Sequence, residues 1–248
     1  MKVLVAIKPT AEKFALDVLT GEQPADVKID KWQLDPFSEV ALAQALCLKR
    51  EGQVSELIAL TVATDGAESA LRHALALGAD RAIQIDSSLR EPLSIATLLH
   101  AKCEQEGISL ALFGKQSSDG DHHQIAQMTA GLWRVGHVAN AQSLSRDDTG
   151  LCLSQTLGQE QQTVRLALPA VVSCDLRLAE PGFATLPNIM KARRRPIECL
   201  PASALAPLAP ERTRVLARRS SMAARGGQSV GCVAELVQKL KHEAKVVS

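Results

Sequence analysis

Tyrosine is missing from this sequence, and aromatic residues of any kind number only six: Phe14, Trp32, Phe37, Phe113, Trp133 and Phe183. Apolar residues make up 46% of the chain, so a sizeable core is available, and it has to be built from aliphatic side chains. Net charge is almost absent too. Lys and Arg total 28 against 27 Asp and Glu, which leaves no overall field to draw in nucleic acid or an anionic membrane. Cys47, Cys103, Cys152, Cys174, Cys199 and Cys232 form no CxxC pair and no regular spacing; zinc ribbons and disulfide frameworks are excluded, and reduced thiols remain. No run of about 18 apolar residues occurs, and the chain starts directly with Met-Lys-Val-Leu-Val-Ala-Ile, without a leader-like stretch. The expectation is a soluble, cytoplasmic protein that does not insert into membranes.

The short motifs of catalysis are missing as well: no P-loop, no GxSxG, no GxGxxG, and no carboxylate pair set apart as an acid–base couple. The neighbouring His122 and His123 have no third ligand at suitable spacing, so no metal site is expected. The chain reads as a carrier or binding component without a catalytic centre of its own.

What is present is an alternation. Val3 to Ile7 is a continuous apolar run of strand length, the pattern of a strand covered on both faces. After a polar stretch from Lys8 to Leu34, Asp35-Pro36 reads as an N-cap followed by proline at the first helical position, and Val40, Leu42, Ala43 and Leu46 carry a helix towards Gly52. The pattern repeats as strand 57–62, helix 67–77 stopped by Gly78, strand 82–85, helix 93–106 stopped by Gly107, strand 110–113, and a helix from about Asp121 to Trp133. This predicts an α/β fold whose first half is a doubly wound, Rossmann-like parallel sheet.

Beyond Val135 the pattern changes. Runs at 138–144, 151–157 and 163–168, with turn-forming residues between them, predict an antiparallel β extension, followed by an apolar strand at 170–174. The expected domain spans 1–200, holding a β meander at about 136–175 and a further loop at about 176–195. Residues 201–248 read as an arm: Pro-rich from Pro201 to Pro210, then a helix from about Ser229 to His242 with Val233, Leu236, Val237 and Leu240 on one stripe.

Ligands of open α/β sheets sit beyond the carboxyl ends of the strands, where the strand order reverses. The segment after Phe113, Gly114 to Gln124, is polar, rich in small residues and leads into a helix, whose free N–H groups and dipole suit a phosphate. The dipole alone contributes only ~0.3–1 kcal/mol, so several amides and a side chain have to act together.

The stretch Cys174-Asp175-Leu176-Arg177-Leu178-Ala179-Glu180-Pro181-Gly182-Phe183-Ala184-Thr185-Leu186-Pro187-Asn188-Ile189-Met190-Lys191-Ala192 resembles the signature of electron-transfer flavoprotein β subunits. Asp35 to Glu39, Leu75 to Arg81, Gly114-Lys115-Gln116 and Gln127 to Gly131 extend the likeness in the family's order over residues 1 to about 200. The resemblance implies a heterodimer with a larger α subunit that holds most of a redox-active FAD, while β carries a structural AMP. It also implies electrons taken from flavin-containing dehydrogenases and passed through an electron-transfer flavoprotein:quinone oxidoreductase towards the respiratory chain.

By position, the AMP contacts implied are Ala6, Asp35, Pro36, Phe37, Ser38, Val62, and the run Ser117, Ser118, Asp119, Gly120, Asp121, His122, His123, Gln124, Ile125, Ala126, Gln127 and Met128. Phe183, Leu186, Pro187, Ile189, Met190 and Lys191 are implied in partner recognition, with Leu186 as an exposed anchor and Lys191 and Arg193 to Arg195 facing an acidic partner. Phe14 and Phe37 are implied near the flavin. The chain departs from the pattern in having Asp35 for Asn, His123, Ile125 and Ala126 for Asn, Thr and Gly, and Gly182-Phe183 for Arg-Tyr; His123 stands where it can donate to a phosphate. Two other readings stay open: a stand-alone adenine-nucleotide-binding regulator similar to universal stress proteins, and a bifurcating homologue with FAD in the β site.

Overall fold

The structure, a computed structural model, describes residues 1–11, 31–207, 212–213, 216 and 228–247. Phe14, Arg214, Arg218, Arg219 and Arg225 therefore lie outside the described residues.

Nine strands form one sheet in the order β11-β5-β4-β1-β6-β10-β7-β8-β9. Its centre is β1 (Lys2–Ala6), which pairs in parallel with β4 (Glu56–Val62) on one side and β6 (Leu110–Gly114) on the other. Beyond β4 lie β5 (Arg81–Asp86) and the edge strand β11 (Glu198–Pro201), both parallel. Beyond β6 come β10 (Ala170–Cys174) and β7 (Gly136–Asp147), again parallel, before β8 (Gly150–Leu157) and β9 (Glu160–Leu166) close the sheet antiparallel.

Alternation along the central strands sorts their side chains to two faces. Val3, Val5, Leu57, Ala59, Leu110 and Leu112 meet α1 (Pro36–Arg50) and α2 (Ala67–Leu77). Leu4, Ile58, Leu60, Ala111 and Phe113 meet α3 (Pro92–Glu106) and α4 (Ile125–Trp133). The doubly wound expectation holds, and the core is aliphatic, with Phe37 and Phe113 the buried aromatics among the described residues. No helix among them is long and apolar enough to cross a membrane.

Some expectations need correction. The polar stretch 8–34 is framed by a small antiparallel pair, β2 (Pro9–Ala11) and β3 (Trp32–Leu34), because Thr10 and Gln33 pair in register at its base. The helix expected from Asp121 begins at Ile125, since Asp121 and His123 take left-handed φ values of 49° and 52° that no helix can include. The antiparallel extension is present and joins the sheet through β10, which slots between β6 and β7, so that the first half of β7 pairs with β10 and its second half with β8. The expected recognition loop contains a short helix, α5 (Leu186–Ala192), begun by Thr185, whose hydroxyl accepts from Asn188 N.

Near the C-terminus, Glu198–Pro201 adds an edge strand that runs into the first residue of the expected arm, held to β5 by backbone pairing and by Arg81 Nη2 donating to Glu198 at 2.9 Å. The last helix, α6 (Val233–His242), starts four residues later than expected, and Val233, Leu236 and Val237 are exposed.

Candidate functional site

The strand order reverses between β1 and β6, and a cavity of about 340 Å³ opens there beyond their carboxyl ends. One wall is apolar: Leu60 and Val62 from β4, Ile95 and Leu99 from α3, and Phe113 from β6. The opposite wall is polar, made by Lys8 after β1, Ser38 in the first turn of α1, and the segment from Lys115 to the start of α4. Arg90, just before α3, completes the lining.

Several local contacts shape the polar wall. Lys8 donates from its backbone to Ser38 Oγ at 3.2 Å, and its ammonium reaches Ser117 Oγ at 3.1 Å and Asp119 Oδ1 at 2.5 Å. Burial would raise the Asp119 pKa, but Lys8 and Ser117 outweigh it and hold the carboxyl below its usual range. Asp121 N donates to Ser117 O at 2.9 Å, closing a tight turn, and Asp121 in turn accepts from Gln116 Nε2 at 2.7 Å. The left-handed residues Asp121 and His123 carry strain of about 1 kcal/mol each or more, and the turn they make aims the segment into the first turn of α4.

No side chain caps α4, and its first backbone bond in this turn runs from Met128 N to Gln124 O. Gln124, Ile125 and Ala126, which precede that bond, line the cavity, and the first amides of the helix have no partner within it. His123 lines the same wall with its Nε2 buried and without a partner. Burial first, and the charge of Lys115 second, lower its pKa below the ordinary histidine value, so at neutral pH it is an uncharged donor and acceptor. Behind it His137 on β7 is pushed down to about 4 by burial, then by His123. Among the described residues no cluster of three His, Cys, Asp or Glu side chains is placed to hold a metal.

The residues singled out from sequence divide in two. Ala6, Ser38, Val62, Ser117, Asp119, Gly120, His122, His123, Gln124, Ile125 and Ala126 line the cavity; Asp35, Pro36, Phe37, Ser118, Asp121, Gln127 and Met128 do not. Asp35 is wholly buried and serves the loop from behind, accepting from Phe37 N at 3.0 Å and from both N and Oγ of Ser118 at 2.7 Å. Phe37 is buried against Gly114, where an added Cβ would come within 2.6 Å of the phenylalanine Cβ. Sequence reasoning missed Lys8 and Arg90 as lining cations and picked out Lys115 only as part of the segment 114–124; their common signal is a position just after a strand or just before a helix.

A second feature lies apart from the cavity. On α5 the side chains of Leu186, Ile189 and Met190, spaced i, i+3 and i+4, present one exposed apolar face, with Leu186 72% and the nearby Phe183 99% accessible. The helix is held from below. Ala192 is buried, Arg72 donates to Ala192 O at 2.9 Å and to Arg195 O, and Arg195 donates to Ala79 O at 2.8 Å and to Asp80 O. Pro187 shapes the first turn, and Lys191 sits exposed in the last.

The family model described as the electron transfer flavoprotein domain matches residues 27–205. The electron transfer flavoprotein subunit beta of Bos taurus is 35% identical over 255 residues, covering 99% of this chain and 99% of the relative. That of Bradyrhizobium diazoefficiens is 35% identical over 250 residues, covering all of both chains. The mitochondrial protein of the same name from Arabidopsis thaliana is 34% identical over 255 residues, again end to end. The match runs the whole length of both partners and includes the segments that build the cavity and α5, and so the chain belongs to the electron transfer flavoprotein β-subunit family.

Proposed function

We propose that this chain pairs with a larger α subunit, holds AMP in the cavity at the strand-order reversal, and docks flavin-containing dehydrogenases through α5. Electrons would then pass by way of FAD, held mainly by the α subunit, to an electron-transfer flavoprotein:quinone oxidoreductase. FAD, when bound, supplies the redox chemistry; this chain supplies docking and a stiff frame.

The observation that carries the nucleotide reading is the two-sided lining. The apolar wall of Leu60, Val62, Ile95 and Leu99 suits a purine, and the polar wall of Lys8, Ser117 and the uncapped start of α4 suits a phosphate. His123, with an unpartnered ring nitrogen on that wall, is a further donor for it. A volume of about 340 Å³ lies at the small end of the ~300–1,000 Å³ range of ligand pockets, which favours a mononucleotide over FAD in the β site. For docking, burying Leu186 on a partner is worth about 1.5–3 kcal/mol, enough for a contact that is specific and still releasable. The exposed Lys191, Arg193 and Arg194 would speed encounter with an acidic surface.

Co-expression with the α subunit tests the whole reading. A yellow heterodimer releasing one AMP and one FAD on denaturation is expected. Two FAD and no AMP would replace the nucleotide assignment with the bifurcating alternative, and a colourless, solitary chain would overturn the heterodimer.

A further inference from the structure

The cavity and the docking segment meet at one carboxylate. Asp175 is the first residue after β10, where the chain leaves the sheet towards α5, and its side chain is only 8% exposed. On one side it accepts from Lys115 Nζ at 3.0 Å. On the other it accepts from Arg177 Nε at 2.9 Å and from Arg177 N at 3.2 Å, and Leu178 N closes a turn onto Asp175 O at 3.0 Å. Lys115 lines the cavity, and its charge is felt by His123 on the same wall. Lys115 is also tied through its own backbone, which donates to Cys174 O at 3.0 Å. The chain of contacts from cavity wall to docking segment is thus continuous and short.

We infer that Lys115, Asp175 and Arg177 form a joint through which an anionic nucleotide in the cavity fixes the docking segment 176–192. An ammonium has three donors, so Lys115 can hold Asp175 and a phosphate oxygen together. A bound anion keeps that ammonium in place. Asp175 then stays pinned, and with it Arg177 and the turn that launches the segment. Asp175 is a positioning residue: it touches neither nucleotide nor partner, and it sets the order of the element that presents Leu186. The inference rests on the nucleotide reading above.

Coupling between two sites is reciprocal and commonly amounts to about 5-fold to 150-fold. The test uses the flavin-loaded heterodimer containing the full chain, stripped of nucleotide, with AMP as the probe. Amide hydrogen exchange of residues 177–192 is followed with and without AMP, and AMP affinity is measured by calorimetry. In the unmodified protein AMP is expected to slow exchange of this segment by about 5-fold or more. In Asp175→Asn, and in Arg177→Gln at the exposed end of the joint, AMP still binds but the slowing disappears. By reciprocity, AMP affinity falls in Asp175→Asn by a factor matching the lost slowing. AMP that binds without changing exchange, or slowing that persists in both variants, overturns the joint alone. Failure of the unmodified protein to bind AMP overturns the nucleotide reading and the joint with it.

Discussion

Asp35 and Ser118, 83 residues apart in sequence, are joined by two hydrogen bonds of 2.7 Å, from the backbone N and the hydroxyl of Ser118 to Asp35 Oδ2. The other carboxylate oxygen caps α1 through Phe37 N. One side chain therefore fastens the cavity loop to the first turn of a helix on the opposite face of the sheet. Asp35→Ala leaves the Ser118 amide without its acceptor and removes the cap, an expected loss of about 1–3 kcal/mol in urea unfolding. AMP affinity should fall alongside, because the loop loses its anchor. An unchanged unfolding midpoint would show that water replaces the carboxylate at no cost. Asp35→Asn keeps one acceptor oxygen and should lose less.

Gly114 tests how closely β6 and α1 must approach. A Cβ there would stand 2.6 Å from Phe37 Cβ and 2.9 Å from Phe37 C, distances that force backbone to move. Gly114→Ala should cost about 1–3 kcal/mol, as overpacking does, and should weaken nucleotide binding because residues 115–124 hang from this point. The thermal midpoint and AMP calorimetry report both effects, and a variant as stable as the parent would mean the two elements slide apart freely.

Leu186 makes little contact with its own chain, so Leu186→Ala should leave stability within about 0.5 kcal/mol. Reduction by a partner dehydrogenase should show a KM about 10-fold or more higher, with flavin content unchanged. Equal KM values for the two proteins would remove Leu186 from the proposed docking surface.

Acid should release the edge of the sheet. Glu106 accepts from Arg81 Nη1 at 2.7 Å and Nη2 at 3.1 Å, and pairs with Lys102 at 2.9 Å. Hydrogen bonding from Arg81 leads the causes that bring its pKa from the ordinary 4.5 to about 2, against the opposing effect of burial. A folded pKa below the unfolded one means the stabilisation is complete above pH 4.5 and is lost as pH falls through about 2. Glu106→Gln should therefore be less stable than the parent at pH 7, with the gap closing between those limits. Guanidinium midpoints at pH 7, 4 and 2.5 measure it; a gap independent of pH would assign the effect to packing.

Much of this fold is legible in sequence because its signals are local. Gly78 and Gly107 sit at helix ends with left-handed or similar backbone, and apolar runs of strand length mark the buried parallel strands. What was hidden depends on partners far away. Nothing near Ala170–Cys174 states that this strand enters between β6 and β7. The late start of α4 depends on two strained residues whose identities, Asp121 and His123, only permit such a backbone. In the site, the polar segment after β6 was readable as a helix approach, whereas Lys8, Arg90 and Lys115 gather only once strand ends and helix starts are brought to one rim. Asp35 read as a helix cap, which it is; its hold on Ser118 is a tertiary fact. The Thr185-Leu186-Pro187-Asn188 start of α5 was a helix signal in plain view.

The placing of β10 sets an order for biosynthesis. The ribbon formed by β7, β8 and β9 meets the rest of the sheet along β10, which is the last of these strands to leave the ribosome. Until residues 170–174 emerge, β6 has a vacant edge and the finished hairpins have nowhere to dock. Edges left open in this way are where nascent chains stick to one another. A chaperone following this polypeptide should hold it longest over the interval between Gly114 and Cys174, and let go when the wedge goes in.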